Sequence, residues 1–242
     1  MHIPKTAGTA LRAAVYRAQP DLKIEMVYEG LGPSEVRRIM KGADANTLLF
    51  GHFSFGAHRL FRDRSPQYAT VLRQPVDRVV SLYHHHLRIG NTALHELLNR
   101  EKYTIEDFVS ACVSPETNNE MVRALSASSH PLPLVMDRLN NFAWQLTRGL
   151  PTRQIDENWR LRCAIRNVAD YFLHVGISEN LPPTERFVER WLGLPPDAIS
   201  VGWDNVFEGD KTVLTDKERL VIEKANRLDL ELYRHFSSPA ET

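Results

Sequence analysis

The chain has 242 residues, with 30 Lys and Arg against 30 Asp and Glu, so its formal net charge at pH 7 is zero. That removes any global attraction to nucleic acid and requires a basic site, where there is one, to be local. Hydrophobic residues at 43% and charged residues at 25% are those of an ordinary globular enzyme, and no run approaches the ~18 apolar residues that read as a membrane span. Reading begins at once with His2-Ile3-Pro4-Lys5-Thr6-Ala7-Gly8-Thr9-Ala10-Leu11. A short apolar strand piece reaches Pro4, whose missing N–H ends ladder pairing. Lys5 follows, then small residues and Gly8, which let backbone N–H groups close on an anion. Leu11, Ala14, Val15 and Ala18 keep the i, i+3, i+4, i+7 spacing of a helix with one buried face, and Thr9 sits near its start. A lysine beside a helix N-terminus makes a phosphate site. It is not a Walker A loop, because Lys5 precedes the glycine instead of following it. A plain β-turn-α corner is the competing reading of this segment.

Ser34 to Met40 reads as a short helix after a Gly-Pro turn, and Thr47 to Phe50 as a short strand with His52 just past its end. Tyr68-Ala69-Thr70-Val71-Leu72 reads as a buried strand. It runs into Arg73-Gln74-Pro75-Val76-Asp77-Arg78-Val79-Val80-Ser81-Leu82-Tyr83, where Pro75 suits a first helical turn and Val76, Val79, Val80, Tyr83 and Leu87 share a face. Arg73 is thereby placed at the carboxyl end of a strand, where open α/β sheets bind ligands.

The two phosphate segments resemble those of the sulfotransferases that use 3′-phosphoadenosine 5′-phosphosulfate (PAPS). Lys5 to Thr9 are similar to that family's 5′-phosphosulfate loop, and Arg73 to Tyr83 to its 3′-phosphate segment, L-R-x-P-x-x-R-x-x-S-x-Y. The branch resembled is that of the heparan sulfate 2-O-sulfotransferases and their bacterial relatives. A looser likeness extends through Tyr171 to Glu179 and Asn226 to Tyr233. The resemblance implies a P-loop-like three-layer α/β fold, with a central, mainly parallel sheet flanked by helices. It also implies PAPS as donor, its desulfated product (PAP), and a hydroxyl-bearing acceptor, in this branch a carbohydrate.

It assigns roles to named residues. Lys5 neutralises the leaving phosphate oxygen, and backbone N–H groups of Thr6, Ala7, Gly8, Thr9 and Ala10 hold the 5′-phosphate. Arg73 and Ser81 hold the 3′-phosphate. His52, in Gly51-His52-Phe53-Ser54-Phe55, takes the acceptor proton, a task suited to a group with a reference pKa near 6.5. A lone histidine beside an apolar strand is otherwise more often a packed structural residue. The heparan sulfate enzymes carry a further histidine where this chain has Phe50. No metal is required by the scheme.

Other residues are weighed in the same way. His84-His85-His86 point different ways on a helix and cannot chelate one ion together, so they read as a helix flank near the acceptor cleft. Arg59, Arg62 and Arg64 read either as a solvated face or as a rim for an anionic acceptor. Asn119 and Arg123 resemble a recurrent Asn-x-x-x-Arg stretch of bacterial relatives, with a plain helix surface as the alternative. Lys211, near Asn205, is a candidate second contact to the 3′-phosphate. Cys112 and Cys163 form neither a disulfide framework nor a zinc pattern, which together with the lack of a visible signal peptide reads as a cytoplasmic protein.

The whole chain, 1–242, reads as one domain, with residues 84–160 a helical and irregular acceptor-side region. Within it Thr104 to Asp107 form a capping box and Thr117 to Pro133 a loop. Pro182-Pro183 and Pro195-Pro196 bracket a helix. Thr215 to Glu218 cap one last helix carrying Val221, Ala225, Leu228 and Leu232 on its buried face. Only Met1 to Ile3 precede Pro4, whereas the resemblance implies several more apolar residues, so the first strand reads as truncated. Two functions remain open: a PAPS-dependent sulfotransferase, or a PAPS- or PAP-binding protein without transfer activity. A P-loop kinase is disfavoured by the absence of the Walker lysine.

Overall fold

The structure is a computed structural model that describes residues 1–28, 33–44, 46–60, 66–90, 92–126, 157–202 and 212–238. The chain is mixed α/β with short parallel sheets. Strand β1 (Lys23–Val27) pairs with β2 (Thr47–Gly51) in parallel, Lys23 opposite Thr47 and Val27 opposite Gly51. Strand β3 (Tyr68–Leu72) pairs in parallel with β4 (Phe172–Ile177), Ala69 opposite His174 and Leu72 opposite Ile177. β1 was not expected, although Lys23-Ile24-Glu25-Met26-Val27 carries the alternation of a half-buried strand.

Met1 to Ile3 join the two pairs. The amino group of Met1 donates to Ala69 O at 3.0 Å, and His2 N donates to Gly51 O at 2.8 Å. One bond reaches each neighbour, so residues 1–3 form no regular strand of their own, and the expected first strand is corrected to a bridging segment. Gly51 is required at the crossing. Its φ is 147°, and a Cβ there would lie 1.9 Å from Val27 O.

Helix α1 (Gly8–Ala18) follows the loop and buries Ala14 and Val15 against Val188 and Ile199. Helix α2 spans Pro33–Gly42. Helix α3 (Pro75–Arg88) starts as expected, with Pro75 in its first turn and the Gln74 side chain accepting from Asp77 N. Its Val76, Val79, Val80 and Leu82 are buried with Leu98, Phe108 and Ile222. Each such side chain contributes roughly 1.5–3 kcal/mol by leaving water. Helices α4 (Ala93–Arg100), α5 (Ile105–Ser110) and α6 (Glu120–Ser126) follow. The expected capping box at Thr104 is present. The expected loop from Thr117 is corrected, because α6 occupies Glu120–Ser126; residues 127–133 lie outside the described residues.

Helix α7 (Glu157–Tyr171) leads into β4, and α8 (Pro182–Leu192) lies between the two Pro pairs. The last helix is two. α9 (Asp216–Ala225) starts at the Thr215 capping box, and α10 (Arg227–Ser237) starts after Asn226. The break follows from Asn226, whose buried side-chain amide bonds Thr117 O at 2.9 Å and Ile222 O at 3.0 Å. A core of Ile3, Leu72, Met121, Leu125, Leu228 and Leu232 lies under the segment that joins the strand pairs.

Candidate functional site

The loop after Ile3 is held from both sides. Thr6, fully buried, donates through Oγ1 to Ile3 O at 2.8 Å. Lys5 and Ala7 have φ of 69° and 65°, left-handed values that L-residues with a Cβ adopt only at a cost of roughly 1–2 kcal/mol each. Strain of this kind gathers at functional loops. Ala7 is the N-cap of α1, and Leu11 N makes the first helical bond, to Ala7 O at 3.0 Å. The N–H groups of Gly8, Thr9 and Ala10 therefore have no acceptor within the helix, which is what an anion at a helix N-terminus uses. A Cβ at Gly8 would lie 2.1 Å from the His2 ring, so a larger residue there requires that ring to move.

The second segment meets the first directly. Arg73 leaves the end of β3, and its Nη1 donates to Lys5 O at 3.1 Å. Glu179, past the end of β4, accepts from Gln74 N at 2.8 Å and so fixes the turn into α3. Ser81 is buried on α3. Arg78, three residues earlier, is fully buried: Nη2 donates to Glu116 O at 2.7 Å, while Nε and Nη1 find no partner among the described residues.

His52 follows β2, with its N–H donating to Val27 O at 2.6 Å. Its ring lies 4.7 Å from that of His2 and 4.8 Å from that of Tyr28, centroid to centroid. Arg12 Nη1 donates to Tyr28 Oη at 3.1 Å. Burial lowers the His52 pKa below the ordinary imidazole value; the Lys5 charge adds to this, and the Glu116 carboxylate opposes it. Burial works to raise the pKa of Glu116, but His86, His52 and Arg78 outweigh it and hold the carboxyl below its usual range. His86 Nε2 stands 3.9 Å from Glu116 Oε2, beyond hydrogen-bond distance.

The structure thus brings Lys5, Arg73 and His52 together at the carboxyl ends of β1, β2 and β3. The histidine triplet diverges. His84 bonds Thr212 Oγ1 at 2.6 Å, His86 faces Glu116, and burial, with the Lys5 charge, brings the His85 pKa down to about 4. Reading the sequence missed His2, Arg12, Tyr28 and Glu116 as neighbours of the site. Asn119 and Arg123 are not a plain helix surface. Asn119 Oδ1 accepts from Leu228 N and Asp229 N, and Arg123 pairs with Glu120. Arg62, Arg64, Asn205 and Lys211 lie outside the described residues, as does the side chain of Arg59.

A cavity of about 870 Å³ lies beside the site, between β2 and β3. His2, Thr6 and Gly8 reach it, but Lys5, Arg73, Ser81 and His52 do not line it.

No protein-family model matches this chain, and no curated protein is significantly similar to it. Among the described residues, no helix is long and apolar enough to cross a membrane.

Proposed function

We propose that the protein is a sulfotransferase, moving a sulfuryl group from PAPS to a hydroxyl on an acceptor, by the resemblance a carbohydrate. The observation that carries this reading is the 3.1 Å bond from Arg73 Nη1 to Lys5 O, which ties the two phosphate segments into one anion-binding corner. The strand pairs on either side of Met1 to Ile3 support a P-loop-like three-layer arrangement. Two free cysteines, Cys112 and Cys163, support a cytoplasmic location.

The acceptor oxygen attacks sulfur in line with the bond to the 5′-phosphate oxygen. The new S–O bond forms as that bond breaks, and PAP leaves with its charge neutralised by Lys5. Backbone N–H groups of Thr6 to Ala10 hold the 5′-phosphate, and Arg73 and Ser81 the 3′-phosphate. His52 takes the hydroxyl proton. Catalysis is then mainly positioning and electrostatic stabilisation, as for phosphoryl transfer. Because burial and Lys5 keep His52 neutral to a lower pH than an ordinary imidazole, turnover should persist somewhat below pH ~6.5 before its acid limb appears.

The melting temperature with PAP, beside ATP and AMP, tests the donor site. Saturation near 100 Kd should add about 2.7 kcal/mol, or some ~5–10 °C, for PAP alone. Arg73→Ala should abolish most of the shift. His52→Ala should keep it and lose PAPS turnover across an acceptor panel. A folded wild type with no PAP shift would overturn the reading. A shift without wild-type turnover would favour the binding protein over the enzyme.

A further inference from the structure

Two segments that the proposed chemistry does not use, the turn after β4 and Tyr233 on α10, converge on the backbone of Arg73. Leu72 O, just before Arg73, accepts from Ser178 N at 2.8 Å. Gln74 N, just after it, donates to Glu179 Oε1 at 2.8 Å. The peptide groups on both sides of Arg73 are therefore tied to two consecutive residues at the end of the neighbouring strand. Asn180 N donates to Ile177 O at 2.9 Å and closes that end into a tight turn. The other carboxylate oxygen of Glu179, Oε2, accepts from Tyr233 Oη at 3.2 Å, so α10 holds Glu179 in turn. Burial, then the Glu179 carboxylate, push the Tyr233 pKa up to about 12, so the phenol keeps the proton it donates. Glu179 is solvent-exposed. A hydrogen bond there replaces one to water and gives direction more than stability.

We propose that Glu179, itself held by Tyr233, is a positioning residue for Arg73: by fixing the peptide between Arg73 and Gln74 it aims the guanidinium at the 3′-phosphate, and so sets the preference for a 3′-phosphorylated nucleotide over one without that group. This rests on the reading of Arg73 as the 3′-phosphate contact. A long arginine side chain delivers its fork to one place only when the backbone it leaves is fixed. Arg73 and Gln74 lie between β3 and α3 and belong to neither, so no strand ladder or helical bond takes the Gln74 N–H. Glu179 supplies that acceptor. On the other side of the turn, the Gln74 side chain accepts from Asp77 N at 3.0 Å, so the start of α3 is registered to the same residue. The brace runs through the end of β4 and through α10, not through the Thr6 to Ala10 loop. A nucleotide held by its 5′-phosphate alone does not sense it.

Calorimetric titration with PAP and with AMP tests this on wild type and on single and paired variants. Glu179→Ala should weaken PAP about tenfold and AMP less than about twofold. Glu179→Gln keeps an acceptor for Gln74 N and should recover most of the loss, and Tyr233→Phe should fall between the two. In an Arg73→Ala background, Glu179→Ala should cost nothing further, because both act through one contact. Equal losses for PAP and AMP in Glu179→Ala, or a loss that adds in full to that of Arg73→Ala, would overturn the proposal and leave Glu179 a part of the turn only. Amide hydrogen exchange at Gln74 needs no nucleotide: it should speed up in Glu179→Ala, and unchanged exchange would also overturn the proposal. Arg73→Ala binding PAP as tightly as wild type would instead remove the Arg73 assignment, so the two failures are told apart.

Discussion

At the scale of single residues, His2 makes stability depend on pH in a direction that can be worked out. Its folded pKa, about 2, lies below the ordinary 6.5 because burial penalises the charged ring and its neighbours are cationic. Between these values the unfolded chain binds the proton that the folded chain refuses. Stability is therefore full above pH ~6.5 and falls as pH drops through the window toward 2, by about 1.4 kcal/mol per pH unit from this group alone. Denaturant unfolding at pH 7.5 and 5.5 should show a loss of about 1 kcal/mol or more in wild type and a smaller one in His2→Phe; equal losses would mean that His2 is not held neutral by the fold. Lys5, His52 and Arg73 could be placed from the sequence because each ends a strand or opens a loop, boundaries that composition marks. His2, Tyr28 and Glu116 could not. They reach the site through parallel pairing of distant segments and through the Ser114-capped turn at Pro115–Thr117, and no local periodicity encodes such proximity.

At the scale of elements, the capping boxes at Thr104 and Thr215 were legible because their partners lie three residues away. The start of α6 was not, because its cap comes from another helix. Asp229 on α10 accepts from Met121 N at 3.0 Å through Oδ2 and from Val122 N at 2.8 Å through Oδ1. Asn119, with φ of 44°, turns back to accept from Leu228 N and Asp229 N, so each helix start is closed by the other's side chain. This reciprocal lock turns the expected Thr117 loop into a helix and splits the expected last helix at Asn226. Asp229→Ala leaves two buried N–H groups without acceptors and should cost about 2–4 kcal/mol, or some ~5–15 °C in Tm. Asp229→Asn, which keeps an acceptor, should cost distinctly less. Equal losses for the two variants would mean that the charge, not the cap, is what Asp229 contributes.

At the scale of the whole molecule, the two strand pairs are held together by little backbone. Met1 and His2 make one bond to each side. Beyond them, toward the amino ends of β2 and β3, lies the cavity of about 870 Å³, lined by Leu48, Phe50, Tyr68 and Val71 from the strands and by Val15 and Phe187 from α1 and α8. Neighbouring strands lie ~4.8 Å apart, so two strands bonded to the same bridging segment leave room for one strand between them. The amino group of Met1 lies there, and burial pushes its pKa down to about 5. A peptide bond in its place would remove a buried amine and run onward into the gap. Five added residues alternating Val and Thr before Met1 would bury two or three apolar side chains at roughly 1.5–3 kcal/mol each. Ordering each added residue costs about 1–2 kcal/mol, and the new ladder bonds return about 1 kcal/mol apiece, which leaves a modest net gain. The fused protein should melt about 3–8 °C higher than the parent. A Gly-Ser extension of equal length should give no rise, since it brings neither apolar surface nor strand propensity. If the Val-Thr extension also gives none, the cavity does not accept a strand.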